Sequence, residues 1–154
     1  MATVYSAQKT SWSQNNPTDR VKTNEMAGRV RVAYATYEAS SLASGDVIEM
    51  FNLPNGARII GGSLAHDALG ASTTLSVGYA AYTDASGTAV SADATAYKAA
   101  AASTSAAKND VVATIALGWG SEVDANQDGL PVTVTMGGAA GTGTIVLEML
   151  YVTD

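Results

Sequence analysis

The chain holds a single histidine, His66, followed directly by Asp67, and it holds no cysteine. A Ser–His–Asp relay needs an imidazole between a nucleophile and an orienting carboxylate, and imidazole metal centres need several histidines converging. One histidine rules out the second arrangement, and no serine lies in a nucleophile-elbow pattern that would suggest the first. His66-Asp67 reads as a surface histidine beside a turn aspartate at a strand end, and no catalytic residue is expected. Without cysteine there are no disulfides, no thiolate nucleophile and no thiolate zinc site.

Two loops imitate ligand sites. Gly137-Gly138-Ala139-Ala140-Gly141-Thr142-Gly143 has the glycine density of a phosphate cradle. It lacks the Lys-Ser/Thr ending, and a strand pattern follows where a helix N-terminus would have to hold phosphate. A hairpin connection explains it better. Asp124-Ala125-Asn126-Gln127-Asp128-Gly129 sets oxygen ligands at alternate positions and glycine at the bend, like the first half of a calcium loop. The twelfth position is Thr135, which cannot supply the bidentate carboxylate, and a strand follows. Since a tight turn demands the same residues, Asp124, Asn126 and Asp128 stand as candidate calcium ligands beside a turn reading, and no other cofactor is expected. Tyr79, Tyr82 and Tyr97, with Asp84 and Asp93, are residue types that line sugar-binding surfaces, but no spacing rule unites them.

The elements that must position these residues come from the whole chain. Its 154 residues suit one two-layer domain, and 47% hydrophobic with 14% charged residues describes a folded chain. Much of the apolar content is alanine, and there is only one phenylalanine. The core is therefore thin, and contacts with other chains are expected to matter. Met1-Ala2-Thr3-Val4-Tyr5 opens a polar stretch unlike a signal peptide, and no run approaches the ~20 apolar residues of a membrane span. A soluble protein with no membrane partner is expected.

Residues 1–33 carry five basic against two acidic residues, net +3, while residues 34–154 carry three basic against twelve acidic, net −9. An acidic body argues against nucleic acid as a partner, because phosphate binding needs a basic surface. A basic leader suits an acidic neighbour, including another copy of the same chain. Within residues 1–28, the stretch Ser11-Trp12-Ser13-Gln14-Asn15-Asn16-Pro17-Thr18-Asp19 has a turn signal at Asn16-Pro17 and neither helical nor strand period. Yet Tyr5 and Trp12 are efficient interface anchors. The segment reads as an extended arm, residues 1–28, that orders on another surface through Tyr5, Trp12, Arg20 and Lys22; a frayed leader with incidental aromatics is the alternative.

From residue 29 the period becomes two. Val30, Val32 and Tyr34 share one face, with Arg29 and Arg31 on the other. Val47 to Leu53 and Ala57 to Leu64 flank the tight-turn signal Pro54-Asn55-Gly56. Leu75, Val77 and Tyr79 point inward. Val111, Ala113, Ile115 and Leu117 share a face, as do Leu130, Val132, Val134 and Met136. Residues 144–152 are apolar on both faces, as in a strand covered on both sides. Seven strands joined by Gly, Pro, Asn and Asp turns predict an all-β fold over residues 29–154, an antiparallel sandwich or barrel. The alanine-rich run 93–108, with Asp93 as a candidate N-cap, predicts one short helix, with a long loop as the alternative.

The segments 42–60 (Leu42-Ala43-Ser44-Gly45-Asp46, an apolar strand, Leu53-Pro54-Asn55-Gly56-Ala57, a second apolar strand), 67–78 and 143–152 resemble small head proteins of tailed bacteriophages. The likeness covers about residues 40–80 and 130–154 and rests on structural motifs alone. It implies an antiparallel jelly-roll β-sandwich that decorates, or cements, the outer surface of the capsid. It further implies the major capsid protein as partner, a homotrimer at three-fold positions, and assembly in the host cytoplasm. The function expected is then non-enzymatic: added buried area between capsomers resists the outward push of packaged DNA. Two alternatives stay open, a carbohydrate-binding jelly roll of a tail or fibre, and a structural tail or connector subunit.

Overall fold

A computed structural model describes residues 4–13 and 20–153. After a short helix, α1 (Ala7–Ser13), the chain forms β1 (Val30–Leu42), β2 (Val47–Leu53), β3 (Arg58–His66), β4 (Thr73–Tyr79), β5 (Tyr82–Thr83) and β6 (Ala89–Val90). It continues through β7 (Asp93–Ala102), β8 (Ala107–Val111), a 3-10 turn (Ile115–Leu117), β9 (Leu130–Gly138) and β10 (Gly141–Val152).

The pairing is that of one long hairpin rolled up. β4 pairs with β7, β3 with β8, β2 with β9 and β1 with β10, all antiparallel, so first meets last and each inner pair nests within the next. Rolling adds two further ladders, β10 with β3 and β9 with β4. The result is two four-stranded sheets, ordered β1-β10-β3-β8 and β2-β9-β4-β7. Two such sheets face to face, connected by Greek keys, are a jelly roll. The β5–β6 hairpin caps the tip of the long hairpin. Asp84 closes it, its Oδ1 accepting from the backbone N–H of Ser86 at 2.9 Å and of Thr88 at 2.7 Å.

Alternation decides what lies between the sheets. Leu130, Val132, Val134 and Met136 of β9, Leu75 and Val77 of β4, and Ile145, Leu147 and Met149 of β10 are all buried. The lone phenylalanine, Phe51, is only half-buried, so apart from Tyr97 the core is aliphatic. β1 turns its larger residues outward: Val30, Val32 and Tyr34 are 61%, 57% and 61% exposed. Two positions on its other face are small opposite long cross-strand partners, Ala33 facing Met149 and Ala35 facing Leu147. The outer face of β10 is half-covered instead of closed: Val146 and Leu150 keep partial exposure.

Two expectations are corrected. Residues 93–108 form neither a helix nor a long loop but β7 and the start of β8. Helix propensity differs by only tenths of a kcal/mol per residue, whereas the β4 edge offers ladder hydrogen bonds and a buried site for Tyr97. Asp93 does cap a backbone N–H, that of Thr95 at 2.8 Å, but at a strand start. The strand expected through Leu117 stops at Val111. Val112 takes φ 60°, Thr114 caps a 3-10 turn by accepting from Leu117 N–H, and Ile115 is left 82% exposed.

The β4–β7 ladder is irregular, with Val77 opposite Lys98 but Tyr79 opposite Asp93. β7 thus bulges over residues 94–97, and its backbone closes on Gly78, where an added Cβ would sit 1.8 Å from the Asp93 carbonyl oxygen. Gly78→Ala is expected to destabilise the fold by roughly 1–3 kcal/mol through overpacking against rigid backbone, read as a lower urea midpoint with an unchanged slope.

Candidate functional site

Of the segment expected to form an arm, residues 22–25 are anchored on the sandwich and residues 4–13 are largely exposed. Ser6 begins α1 as a cap, its Oγ accepting from Lys9 N–H at 3.2 Å. Residues 7–13 are therefore helical where an extended conformation is expected: Ala7, Gln8 and Lys9 are good helix formers behind a capping serine. No residue of α1 is buried, and Tyr5 and Trp12 are each 65% exposed. The turn signal at Asn16-Pro17 lies outside the described residues. Arg20 is exposed. Lys22 pairs within its own chain, with Glu122 at 2.9 Å.

That pair opens onto a small network which the sequence does not announce. Arg58 donates to Glu122 at 3.0 Å, to Glu25 at 3.4 Å and to the Gly120 carbonyl at 2.7 Å. Asn24, buried, donates to the Gly56 carbonyl at 3.2 Å, and Gln8 reaches Glu25 at 3.4 Å. Exposed Lys22 contributes little, but the Arg58 side chain is only 22% exposed and holds both carboxylates. Residues 22–25 are thereby fixed to the β2–β3 turn and the 118–122 loop. Charges 33 and 64 residues away from Arg58 carry no local sequence signal of their meeting.

The calcium-loop candidates are placed in a turn. Asn126 Oδ1 accepts from Asp128 N–H at 2.9 Å, and Asn126 Nδ2 donates to Asp128 Oδ2 at 3.1 Å. Asp124 is turned to the β5–β6 hairpin, its Oδ1 accepting from Ala85 N–H at 3.2 Å. These are the hydrogen bonds of a turn, and among the described residues no group of three or more histidine or acidic side chains comes together.

His66 is buried, not on the surface as its turn context implies. Its Nδ1–H donates to the Asp67 carbonyl at 2.8 Å, and Nε2 faces Asn109 Nδ2 at 3.5 Å. Both ring nitrogens are thus engaged, which leaves neither aimed at a serine. Asp67 Oδ2 accepts from Thr144 N–H at 3.0 Å, and this bond holds its carboxyl below the usual carboxylate range. Asp84 is lowered likewise, by the Ser86 hydroxyl and the Thr88 N–H.

The three tyrosines do come together. Tyr79 meets Tyr82 edge-to-face, centroids 5.6 Å apart at 85°, and tilts on Tyr97 at 6.0 Å. They wall a cleft of about 370 Å³ whose rim includes Asp93 and Asp124. Asp84, expected with them, is not among its lining residues; its carboxylate is used up in the β5–β6 turn, and Asp124 takes the position instead. Burial pushes the Tyr97 hydroxyl well above the ordinary tyrosine range, and Tyr82 less far in the same direction.

Two measurements check this description. Asp67 and Asp84 titrate lower folded than unfolded, so the unfolded chain binds more protons as acid is added. Their stabilisation is complete above the ordinary value of 3.8 and is lost as pH falls through the lowered one. Denaturation midpoints should therefore drop below about pH 3.8, and Asp67→Ala should make that drop shallower. For Asp124, Asn126 and Asp128, the melting temperature should be the same in millimolar calcium and in chelator; a rise with calcium would assign the turn a cation.

No family model matches the chain, and no curated protein sequence matches it. Solved structures do. The fold is similar to a chain of the cyanophage Pam1 capsid asymmetric unit, at TM-score 0.59 and 22% identity, covering 92% of this chain and 99% of that one. It is similar to a chain in the capsid of Ralstonia phage GP4, at TM-score 0.62 and 24% identity over 82% and 86% of the two chains. A third is in the acid-stable capsid of Helicobacter pylori bacteriophage KHP30, at TM-score 0.53 and 18% identity over 80% and 86%. The chain carries a jelly roll of the form found in phage capsid structures.

Proposed function

We propose that this chain is a non-enzymatic structural protein of a phage particle, which decorates the outer surface of the capsid and stabilises it by bridging major capsid proteins. The observation that carries this reading is the two-sheet roll shared, over most of its length, with chains of three phage capsids. The distribution of exposed apolar groups supports it. Six of them lie on the leading segment (Val4, Tyr5, Trp12) and along edge strand β1 (Val30, Val32, Tyr34), while Val47, Ile115 and Trp119 lie elsewhere. Aromatic anchors on a projecting segment add buried area on a neighbour, and the 22–25 anchor transmits that grip to the sandwich. The basic leader and acidic body suit contacts between copies, and a homotrimer assembled in the host cytoplasm is the unit proposed. Neither nucleic acid nor membrane has a part in it.

The test is cosedimentation with heads that lack their outer proteins. The full chain should sediment with them at saturation. Tyr5→Ala combined with Trp12→Ala, which alters only exposed side chains, should weaken attachment at least tenfold, as loss of two aromatic anchors does, with the melting temperature unchanged. A folded chain that stays in the supernatant would overturn the proposal.

A further inference from the structure

We propose that the cleft between β4, β5, β7 and the 115–124 segment binds a neutral sugar ring. Its volume of about 370 Å³ falls in the range of small-molecule sites, roughly 300–1,000 Å³. Sugars offer two chemistries, an apolar C–H face and a rim of hydroxyl donors. Half-buried Tyr79 and Tyr82 supply ring surface for the first. Asp93 and Asp124 supply acceptors for the second. Asp93 Oδ1 is held by Thr95 at 2.8 Å and Asp124 Oδ1 by Ala85 at 3.2 Å. Each carboxylate's other oxygen has no protein partner among the described residues, so it is oriented and available for charge-assisted bonds from hydroxyls.

The same geometry selects against other ligands. Anionic sugars would meet Asp93, Asp124 and the Arg58-paired Glu122 in one cleft and are repelled. A quaternary ammonium needs several ring faces turned on one point, whereas these rings, 5.6 and 6.0 Å apart, fill the space between themselves. Buried Val112 sits at φ 60°, a region that β-branched residues avoid, and its N–H holds the Tyr97 carbonyl at 2.9 Å. Behind the ring, Gly118 at φ 83° leaves room that a Cβ, 3.0 Å from Tyr97, would close.

The experiment is saturation-transfer NMR on the full chain with methyl glycosides of glucose, galactose, mannose and N-acetylglucosamine, with glucuronate and choline as contrasting probes. At least one neutral glycoside should bind, with Kd on the order of 1 mM, and glucuronate and choline should not. Tyr82→Ala and Asp124→Asn should each weaken that binding at least tenfold; Asp124→Asn is isosteric and carries the test if Tyr82→Ala lowers folding. Silence from every neutral glycoside, binding unaffected by Asp124→Asn, or a preference for glucuronate or choline would overturn the assignment. None of these results bears on attachment to heads, which is measured separately.

Discussion

Pairing of β10 with both β1 and β3 holds the roll closed, because it joins the end of the chain to its beginning and to the middle of the same sheet. Ile145, Leu147 and Met149 project from it into the space between sheets and are completely buried. Two of them lie beside smaller partners, Leu147 between Ala35 and Leu64, Met149 between Ala33 and Gly62. With few aromatic side chains in the core, this size matching fills the volume that larger rings would otherwise occupy. Everything outside the sheets is mounted on that closure.

The leading segment illustrates the mounting. Its fixed part is short and polar, held by Arg58 at the start of β3 and by Asn24 on the β2–β3 turn. A half-buried arginine shared between two carboxylates is directional, since the guanidinium fork sets where both must lie. Ahead of it, no residue of α1 is buried. Strong attachment next to exposed aromatics is the mechanical arrangement a tether between neighbouring subunits needs, and it is the physical content of the proposed role in the shell.

Beside that anchor, with Glu122 common to both, one irregularity shapes the cleft. The β7 bulge opposite Gly78 adds residues on one side of the ladder, and this swings Tyr97 beneath Tyr79 while leaving Asp93 at the rim. A regular ladder would have carried Tyr97 elsewhere along β7. Bulges often re-aim side chains in this way, and here the effect is to gather three tyrosines separated by up to eighteen positions.

Period-two alternation and turn chemistry by themselves determined the all-β class, the inward sets on β4 and β9 and the Pro54-Asn55-Gly56 turn, because each depends on neighbours a few residues apart. Tertiary structure alone decided the rest. Whether 93–102 becomes helix or strand turned on the free edge of β4, which outweighs the small intrinsic preference of alanine. Which face of β1 turns outward turned on the bulk of Leu147 and Met149, over a hundred residues away. The burial of His66, the meeting of Lys22, Glu25 and Glu122 around Arg58, and the convergence of the tyrosines all arise from pairings between distant segments, and no local pattern encodes a distance.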